Sequence, residues 1–150
     1  MRTLLAIFFS ACLSLNLGSC SAIKNSLDRA DENRNIRSKS KLNLSHSHLN
    51  EIPSYVFELT DLKELNLHHN NITEIPPEIK NLVNLEKLIV SRNDLVTIPP
   101  EIGELKNLEI LSLKANALTH LPESIGNLEK LEVCRLSFNK LTDLPKSIGQ

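Results

Sequence analysis

A phrase of 23 residues recurs in register along most of this chain, and this recurrence constrains the fold more than any other feature. The stretch LKELNLHHNNITEIPPEIKNLVN, residues 62–84, is followed at once by LEKLIVSRNDLVTIPPEIGELKN. Fixed-period self-similarity of this kind indicates a stack of small, equivalent structural units. The positions that repeat are an asparagine, a proline and an isoleucine: Asn70, Asn93, Asn116 and Asn139; Pro76, Pro99, Pro122 and Pro145; Ile79, Ile102, Ile125 and Ile148.

The repeat divides the chain into copies at 39–61, 62–84, 85–107 and 108–130, with an incomplete copy at 131–150. The first copy is more polar than the others, because Lys39 and Ser47 stand where leucine and asparagine are expected, as suits a terminal cap. The last copy stops one residue before the position equivalent to Leu128. Three interpretations fit this incomplete copy: a final core that is partly open, a fragment of a longer array, or an edge that pairs with another subunit. We favour a truncated or minimal array.

The spelling of one copy predicts its local structure. Leu65 and Leu67 alternate with polar residues, which is the period-two pattern of a short strand with one buried face. Asn70 follows where the chain must turn inward, and its amide can donate to and accept from the backbone of adjacent turns. We therefore expect the four recurring asparagines to form a buried ladder. A single copy cannot bury its own leucines, so stability must come from stacking.

The full pattern, L-x-x-L-x-L-x-x-N-x-L followed by I/L-P and a closing apolar turn, resembles the leucine-rich repeat family over about three quarters of the chain. The resemblance implies an α/β solenoid of about five repeats. In such a solenoid a short parallel sheet lines the concave side, and irregular or short helical segments form the convex side. It also implies a role in binding without catalysis.

The first residues, MRTLLAIFFSACLSLNLGSC, are a different kind of segment. One basic residue precedes a short apolar run, which is typical of a secretory signal peptide, here residues 1–19. The ending LGSC resembles the bacterial lipobox, and this implies that Cys20 is lipidated after cleavage. A second candidate site at Cys12 leaves too short an apolar region. Ordinary secretion, with Cys20 present by chance, is the alternative.

Residues 20–38 are polar and mixed in charge, which predicts a lipidated cysteine followed by a tether, or alternatively a capping helix. The domain 39–150 carries no basic stripe, so a nucleic-acid partner is not expected. Cys134 occupies the inward position held by Leu65, Leu88 and Leu111, and we predict that it is buried. Extracellular eukaryotic members of the resembled family usually carry disulfide-bonded caps. Their absence here favours a bacterial envelope protein.

Residues between the inward leucines are predicted to face the concave side. Consecutive strands place apolar residues there with a basic rim, which is the usual composition of a protein-binding patch. The alternative is that these residues only reflect the β-propensity of isoleucine and valine. The predicted partner-binding residues are Ile89, Arg92, Ile110, Lys114, Val133, Arg135 and Phe138.

Histidines also gather on this face, at His46, His68 and His69. Adjacent strands lie about 4.8 Å apart, so His46 and His69 are expected to be neighbours. Zinc needs three or four tetrahedral ligands, and a flat sheet supplies a third with difficulty. We therefore predict solvated polar residues and no metal site.

No arrangement of nucleophile, base and acid emerges from the sequence. Ser91, Ser112 and Ser137 are predicted to lie in one column without a histidine and a carboxylate beside them. The glycines at 103, 126 and 149 mark the repeat turn and form no phosphate-binding loop. The sequence predicts neither an enzyme nor a cofactor or small-molecule substrate.

Together these features predict an exported lipoprotein at the cell envelope or outer membrane, whose repeat domain binds a protein partner. Two alternatives stay open. One is an intracellular scaffold for signalling proteins, in which the amino-terminal segment is not a signal. The other is a structural envelope protein that associates with itself through an open repeat edge.

Overall fold

The computed structural model describes residues 40–148. The predicted signal peptide, the predicted lipidation site at Cys20 and the predicted tether lie outside these residues. Short strands alternate with 3₁₀ helices along the chain. The strands are β1 Lys41–Asn43, β2 Glu64–Asn66, β3 Lys87–Ile89, β4 Ile110–Ser112 and β5 Val133–Arg135. The helices are η1 Ser54–Glu58, η2 Pro77–Asn81, η3 Pro100–Glu104 and η4 Glu123–Asn127.

The strands form one parallel sheet in the order β1-β2-β3-β4-β5, so each strand pairs with the strand of the next copy. The register matches residues 23 positions apart, as in Leu65 opposite Leu88 and Leu88 opposite Leu111. Backbone pairing continues beyond the strands, since the Leu67 amide donates to the Ile89 carbonyl at 2.7 Å. This architecture confirms the predicted α/β solenoid.

Each 3₁₀ helix is prepared by proline and closed by a leucine. Pro76 has a φ of −73° and Pro77 occupies the first helical turn, where its missing N–H costs no hydrogen bond. The Leu82 amide donates to the Ile79 carbonyl at 3.1 Å and ends the helix. Both side chains are fully buried. The proline therefore fixes the turn that brings two apolar side chains back into the core.

Glycine occupies two of these helices because the next coil approaches closely there. A Cβ atom on Gly103 would lie 2.3 Å from the Ser124 carbonyl oxygen, and one on Gly126 would lie 2.3 Å from the Ser147 Cβ. The Ser124 hydroxyl donates to the Pro100 carbonyl at 2.7 Å, which holds the two helices at this distance. These glycines therefore set the packing between coils, beyond marking a turn.

The core runs along the stack between the sheet and the 3₁₀ helices. Leu65, Leu88 and Leu111 are fully buried, as the period-two pattern predicts. The prediction that Cys134 is buried was wrong, because this residue is exposed. Within residues 40–148, β5 has a neighbouring strand on one side only, so its inward side chain is covered by one coil.

One property concerns membranes. Over the part of the chain that the structure describes, every helix is too short or too polar to cross a bilayer.

Candidate functional site

The concave face of the sheet consists of the side chains that flank the inward leucines. Two columns come from the strands, and two more come from the turns that follow, where the backbone pairing continues. The first column is Lys41, Glu64, Lys87, Ile110 and Val133, and the second is Asn43, Asn66, Ile89, Ser112 and Arg135. The third is Ser45, His68, Ser91, Lys114 and Ser137, and the fourth is His46, His69, Arg92, Ala115 and Phe138.

Asparagine side chains hold the turns that carry the third and fourth columns. The Asn93 amide group donates to the carbonyls of Leu67 at 3.0 Å and Val90 at 3.2 Å. Its side-chain oxygen accepts from the Ile72 amide at 3.0 Å. Each of these side chains therefore joins two neighbouring coils. The equivalent bonds are made by Asn70, Asn116 and Asn139.

The fourth column has a backbone conformation that the sequence did not suggest. All its residues have a positive φ, from 55° at His46 to 59° at Phe138. This left-handed region is uncommon outside glycine and asparagine. The conformation turns the chain from the sheet toward the next residue, which is a ladder asparagine in four coils and Ser47 in the first. The sequence could have indicated this conformation, because the residues concerned recur at one fixed position of the repeat.

The first column is charged at one end of the sheet. The Lys41 and Lys87 ammonium groups lie 2.8 Å and 3.1 Å from the two Glu64 carboxylate oxygens. The hydrogen bond from Lys41 is the main cause that lowers the pKa of Glu64, although burial opposes it. The same hydrogen bond raises the pKa of Lys41. A neighbouring pair joins Lys63 to Glu86. This end of the face therefore presents alternating charges that neutralise one another.

At the other end of the sheet the predicted apolar residues are only partly brought together. Ile110 lies directly opposite Val133 in the first column, and both are half-buried. Ile89 lies in the second column, opposite Ser112. Phe138 stands apart in the fourth column with 73% of its surface exposed. The Lys114 ammonium group lies 5.2 Å from the centroid of its ring, within cation–π range.

The basic residues predicted to flank this patch also occupy different columns. Arg135 is opposite Ser112 in the second column. Arg92 is in the fourth column, and its backbone amide donates to the Lys114 carbonyl at 2.9 Å. Ile110 and Val133 therefore form an apolar pair in the first column. Arg92, Lys114 and Phe138 lie in the third and fourth columns, on the far side of the second column.

The predicted column of serines was wrong in one position. Ser91 is in the third column, whereas Ser112 is in the second, because β4 places it opposite Ile89. The two hydroxyl oxygens are nevertheless 2.8 Å apart along the diagonal between adjacent coils, and both side chains are buried. They form a hydrogen-bonded pair within the sheet surface, and their nearest histidine contact is the backbone bond from the His69 amide to the Ser91 carbonyl at 2.9 Å.

The histidines lie together at the charged end of the face. The rings of His46 and His69 stack with centroids 4.6 Å apart and 19° between their planes. The His68 ring approaches His46 edge-on at 5.4 Å and His69 at 6.1 Å. Stacked rings do not direct their nitrogens to a common point. Among the described residues, no three His, Cys, Asp or Glu side chains converge as metal ligands would.

A second amide ladder on the convex side escaped the sequence reasoning. The Asn84 side chain donates to the Thr60 carbonyl at 3.0 Å, and that of Asn107 donates to the Val83 carbonyl at 2.9 Å. These residues recur at the same 23-residue interval as the first ladder. The 23-residue interval could therefore have predicted this second ladder.

Comparisons with known proteins place this geometry in context. The sequence profile described as "Leucine rich repeat" matches residues 40–95 and 83–141. No curated protein sequence matches the chain. Among solved structures, a leucine-rich repeat protein of Leptospira interrogans is 34% identical with a TM-score of 0.69. The match covers 81% of this chain but 36% of that one, so this chain spans about a third of its length.

Two further structures are similar to the chain. One is the ectodomain of the Arabidopsis thaliana receptor kinase GASSHO1/SCHENGEN3 in complex with CASPARIAN STRIP INTEGRITY FACTOR 2. It is 40% identical over 67% of this chain and 13% of that chain, with a TM-score of 0.62. The other is an internalin C2 of Listeria monocytogenes, 21% identical over 74% of this chain and 47% of that chain, with a TM-score of 0.66. At that identity the internalin shows a shared fold alone.

Proposed function

Because the chain belongs to the leucine-rich repeat family, we propose that it is a non-catalytic protein that binds a protein partner through the concave face. The leucine-rich repeat fold suggests a protein–protein interaction module. The similar plant ectodomain was solved with a bound factor, and another similar structure is the BIR3–SERK2 complex. These partners belong to those proteins, and they support only the class of activity.

The observation that carries the proposal is the contrast between the two sides of each strand. The inward positions keep leucine through four coils, whereas the outward columns change residue type from coil to coil. Outward variation on a rigid scaffold provides a surface on which distinct side chains meet a partner. Half-buried Ile110 and Val133 supply apolar area, and Arg135 supplies an adjacent charge.

We further propose that the protein is displayed at a bacterial envelope, anchored by lipid on Cys20. The support is the signal-like segment 1–19 and the LGSC ending. Lipid chains contribute about 0.8 kcal/mol per buried methylene, so two or more chains anchor firmly. A polar segment between Cys20 and β1 would then hold the concave face away from the bilayer.

The binding proposal is tested by photo-crosslinking in the organism that produces the protein. A photoreactive residue at Ser137 on the concave face should give a discrete crosslinked band. The same residue at Val83, 52% exposed on the convex side, should not. Ile110→Asp combined with Arg135→Glu should remove the band at Ser137. A band that persists in this variant, or bands of equal strength at both positions, would contradict the proposal.

A matched variant controls for folding. Val83→Asp with Lys80→Glu makes the same two changes of chemistry on the convex side, and it should leave the Ser137 band unchanged. Loss of the band in this variant would mean that added acidic charge alone disrupts the complex.

The anchor is tested by metabolic labelling with palmitate in a bacterial host, together with the intact mass of the mature protein. Label that disappears in Cys20→Ala supports the anchor. A mature protein without label, starting at another residue, would reject the anchor and leave the binding proposal standing.

A further inference from the structure

Three histidines and one arginine form a compact basic cluster on the concave face, separate from Ile110 and Val133. We call His46, His68, His69 and Arg92 the His–Arg cluster. His46, His69 and Arg92 occupy consecutive positions of the fourth column, and His68 lies beside them in the third. The three imidazole rings lie within 4.6 to 6.1 Å of one another.

The charges that act on His68 are all positive. Burial is the main cause that lowers the pKa of His68, and the charges of His46, Arg92 and His69 lower it further, whereas a hydrogen bond with the Ser91 backbone opposes them. No carboxylate of the described residues is among the groups that act on it. Glu64, on the strand before these histidines, is already held by Lys41 and Lys87. The flanking third-column residues Ser45 and Ser91 carry no charge.

The backbone of the cluster is not available to a ligand. The amides of His46, His69 and Arg92 donate to the carbonyls of His68, Ser91 and Lys114, each at 2.9 Å. Backbone nests that enclose a phosphate need free N–H groups. An anion must therefore be held by side chains alone, on an open face. Several cations on adjacent coils, about 4.8 Å apart, suit a chain of carboxylates better than one enclosed anion.

We propose that the His–Arg cluster is a proton-gated docking site for an acidic segment of the protein partner. This inference rests on the proposed function, because it assigns a chemistry to the partner of the concave face. Near neutral pH Arg92 supplies the permanent charge. Histidine is the side chain type that gains a proton on mild acidification, so at lower pH an acidic segment would find several adjacent cations in place of one.

The direction of the pH effect follows from linkage. The charges of His46, Arg92 and His69 lower the pKa of His68, and a bound carboxylate opposes them, so binding takes up protons. Affinity for an acidic segment must then rise as pH falls. Glutamate side chains stay ionised well below the range in which histidine titrates, so this range isolates the change in the cluster.

The experiment uses a short poly-glutamate peptide and the mature chain, with binding measured by calorimetry at about pH 7.5 and about pH 5.5. We expect the peptide to bind about tenfold more tightly at the lower pH. Circular dichroism at both pH values checks that the chain stays folded. Binding that is equal at both pH values, or absent at the lower one, would overturn the proposal.

Matched substitutions locate the effect. His46→Asn with His69→Asn should reduce the gain on acidification to less than about twofold. Asparagine accepts the left-handed conformation of both positions, so the backbone is not strained. His48→Asn is the control, since His48 also has a positive φ, at 53°, but its ring makes none of the contacts within the cluster. A gain that survives the double variant, or is lost in the control, would refute the assignment.

Inorganic phosphate supplies the competing chemistry. If phosphate alone binds as tightly as the peptide at the lower pH, the cluster is a general anion site, and the assignment of an acidic polypeptide as its ligand is wrong. The peptide experiments require no natural partner. Their failure would therefore leave the crosslink at Ser137 intact and reject the acidic docking site alone. Absence of the crosslink together with pH-dependent peptide binding would reject the proposed function, and with it the natural partner of the cluster, while the affinity of the cluster for acidic peptides would stand.

Discussion

The inward and outward sides of the same strands follow different rules. Leu65, Leu88 and Leu111 are fully buried and identical from coil to coil. Their outward neighbours change from Glu64 through Lys87 to Ile110, although the backbone register is the same. An inward side chain is packed between two coils and must match both. An outward side chain meets solvent or a partner, so it is free to carry specificity. Stability and recognition are thus separated within single strands.

The largest expected effect is a direct break of this comparison. Leu88→Ala should cost about 2 to 5 kcal/mol of unfolding free energy, because it leaves a cavity between two packed coils. Ile89→Ala, on the adjacent residue and the opposite side, should cost less than about 1 kcal/mol because Ile89 is only half-buried. Urea unfolding followed by circular dichroism measures both. Similar costs for the two would show that the concave face also carries the fold.

The ladder of asparagines is the polar version of the same comparison. Asn93→Ala leaves the buried Ile72 amide and the Leu67 and Val90 carbonyls without this partner, so we expect a loss of about 2 to 3 kcal/mol. Asn71→Ala removes an exposed amide and should change stability by less than about 0.5 kcal/mol. The same denaturant experiment compares them. A small effect at Asn93 would mean that water replaces the ladder.

A glycine position sharpens the comparison on the convex side. Gly103→Ala places a methyl group against the Ser124 carbonyl oxygen, and we expect a loss of about 1 to 3 kcal/mol as the coils separate. Lys80 occupies the equivalent position one coil earlier and is exposed, so Lys80→Ala should be nearly neutral. Thermal unfolding of both variants is sufficient. A neutral Gly103→Ala would show that adjacent helices can move apart at no cost.

The smallest expected effect comes from the charged end of the concave face. The pKa of Glu64 is lowered on folding, so its contribution is present above its ordinary value of 4.5 and is lost as the pH falls through the folded value. Because the group is near the surface, this contribution should not exceed about 1 kcal/mol.

The measurement is the difference in unfolding free energy between the protein and Glu64→Gln across the acid range. The difference should be present at neutral pH and should disappear on acidification. Glu109→Gln, which alters an exposed carboxylate with no ion pair among residues 40–148, should give no such profile. A difference that persists in acid would exclude the ion pair as its source.

Much of the fold was readable from the sequence because its packing is periodic. The interval of 23 residues gave the pairing of Leu65 with Leu88 and the position of the ladder asparagines. The details of the candidate site were less accessible. The assignment of Ser112 to the column of Ser91 failed, because serine occurs at two different outward positions of the repeat. Residue type alone did not distinguish these positions, whereas counting from the inward leucine would have done so.

The sequence by itself determined which residues face inward. Each strand or turn must be covered by the neighbouring coils, so the same pattern of apolar residues recurs in every copy. Only the tertiary structure decided what the outward residues form. It brought His46, His68 and His69 together across coils, separated Phe138 from Val133 and left Cys134 exposed. Contacts between side chains of different coils depend on register, on the left-handed turn before each asparagine and on which coils have two neighbours. None of these is a property of a single repeat.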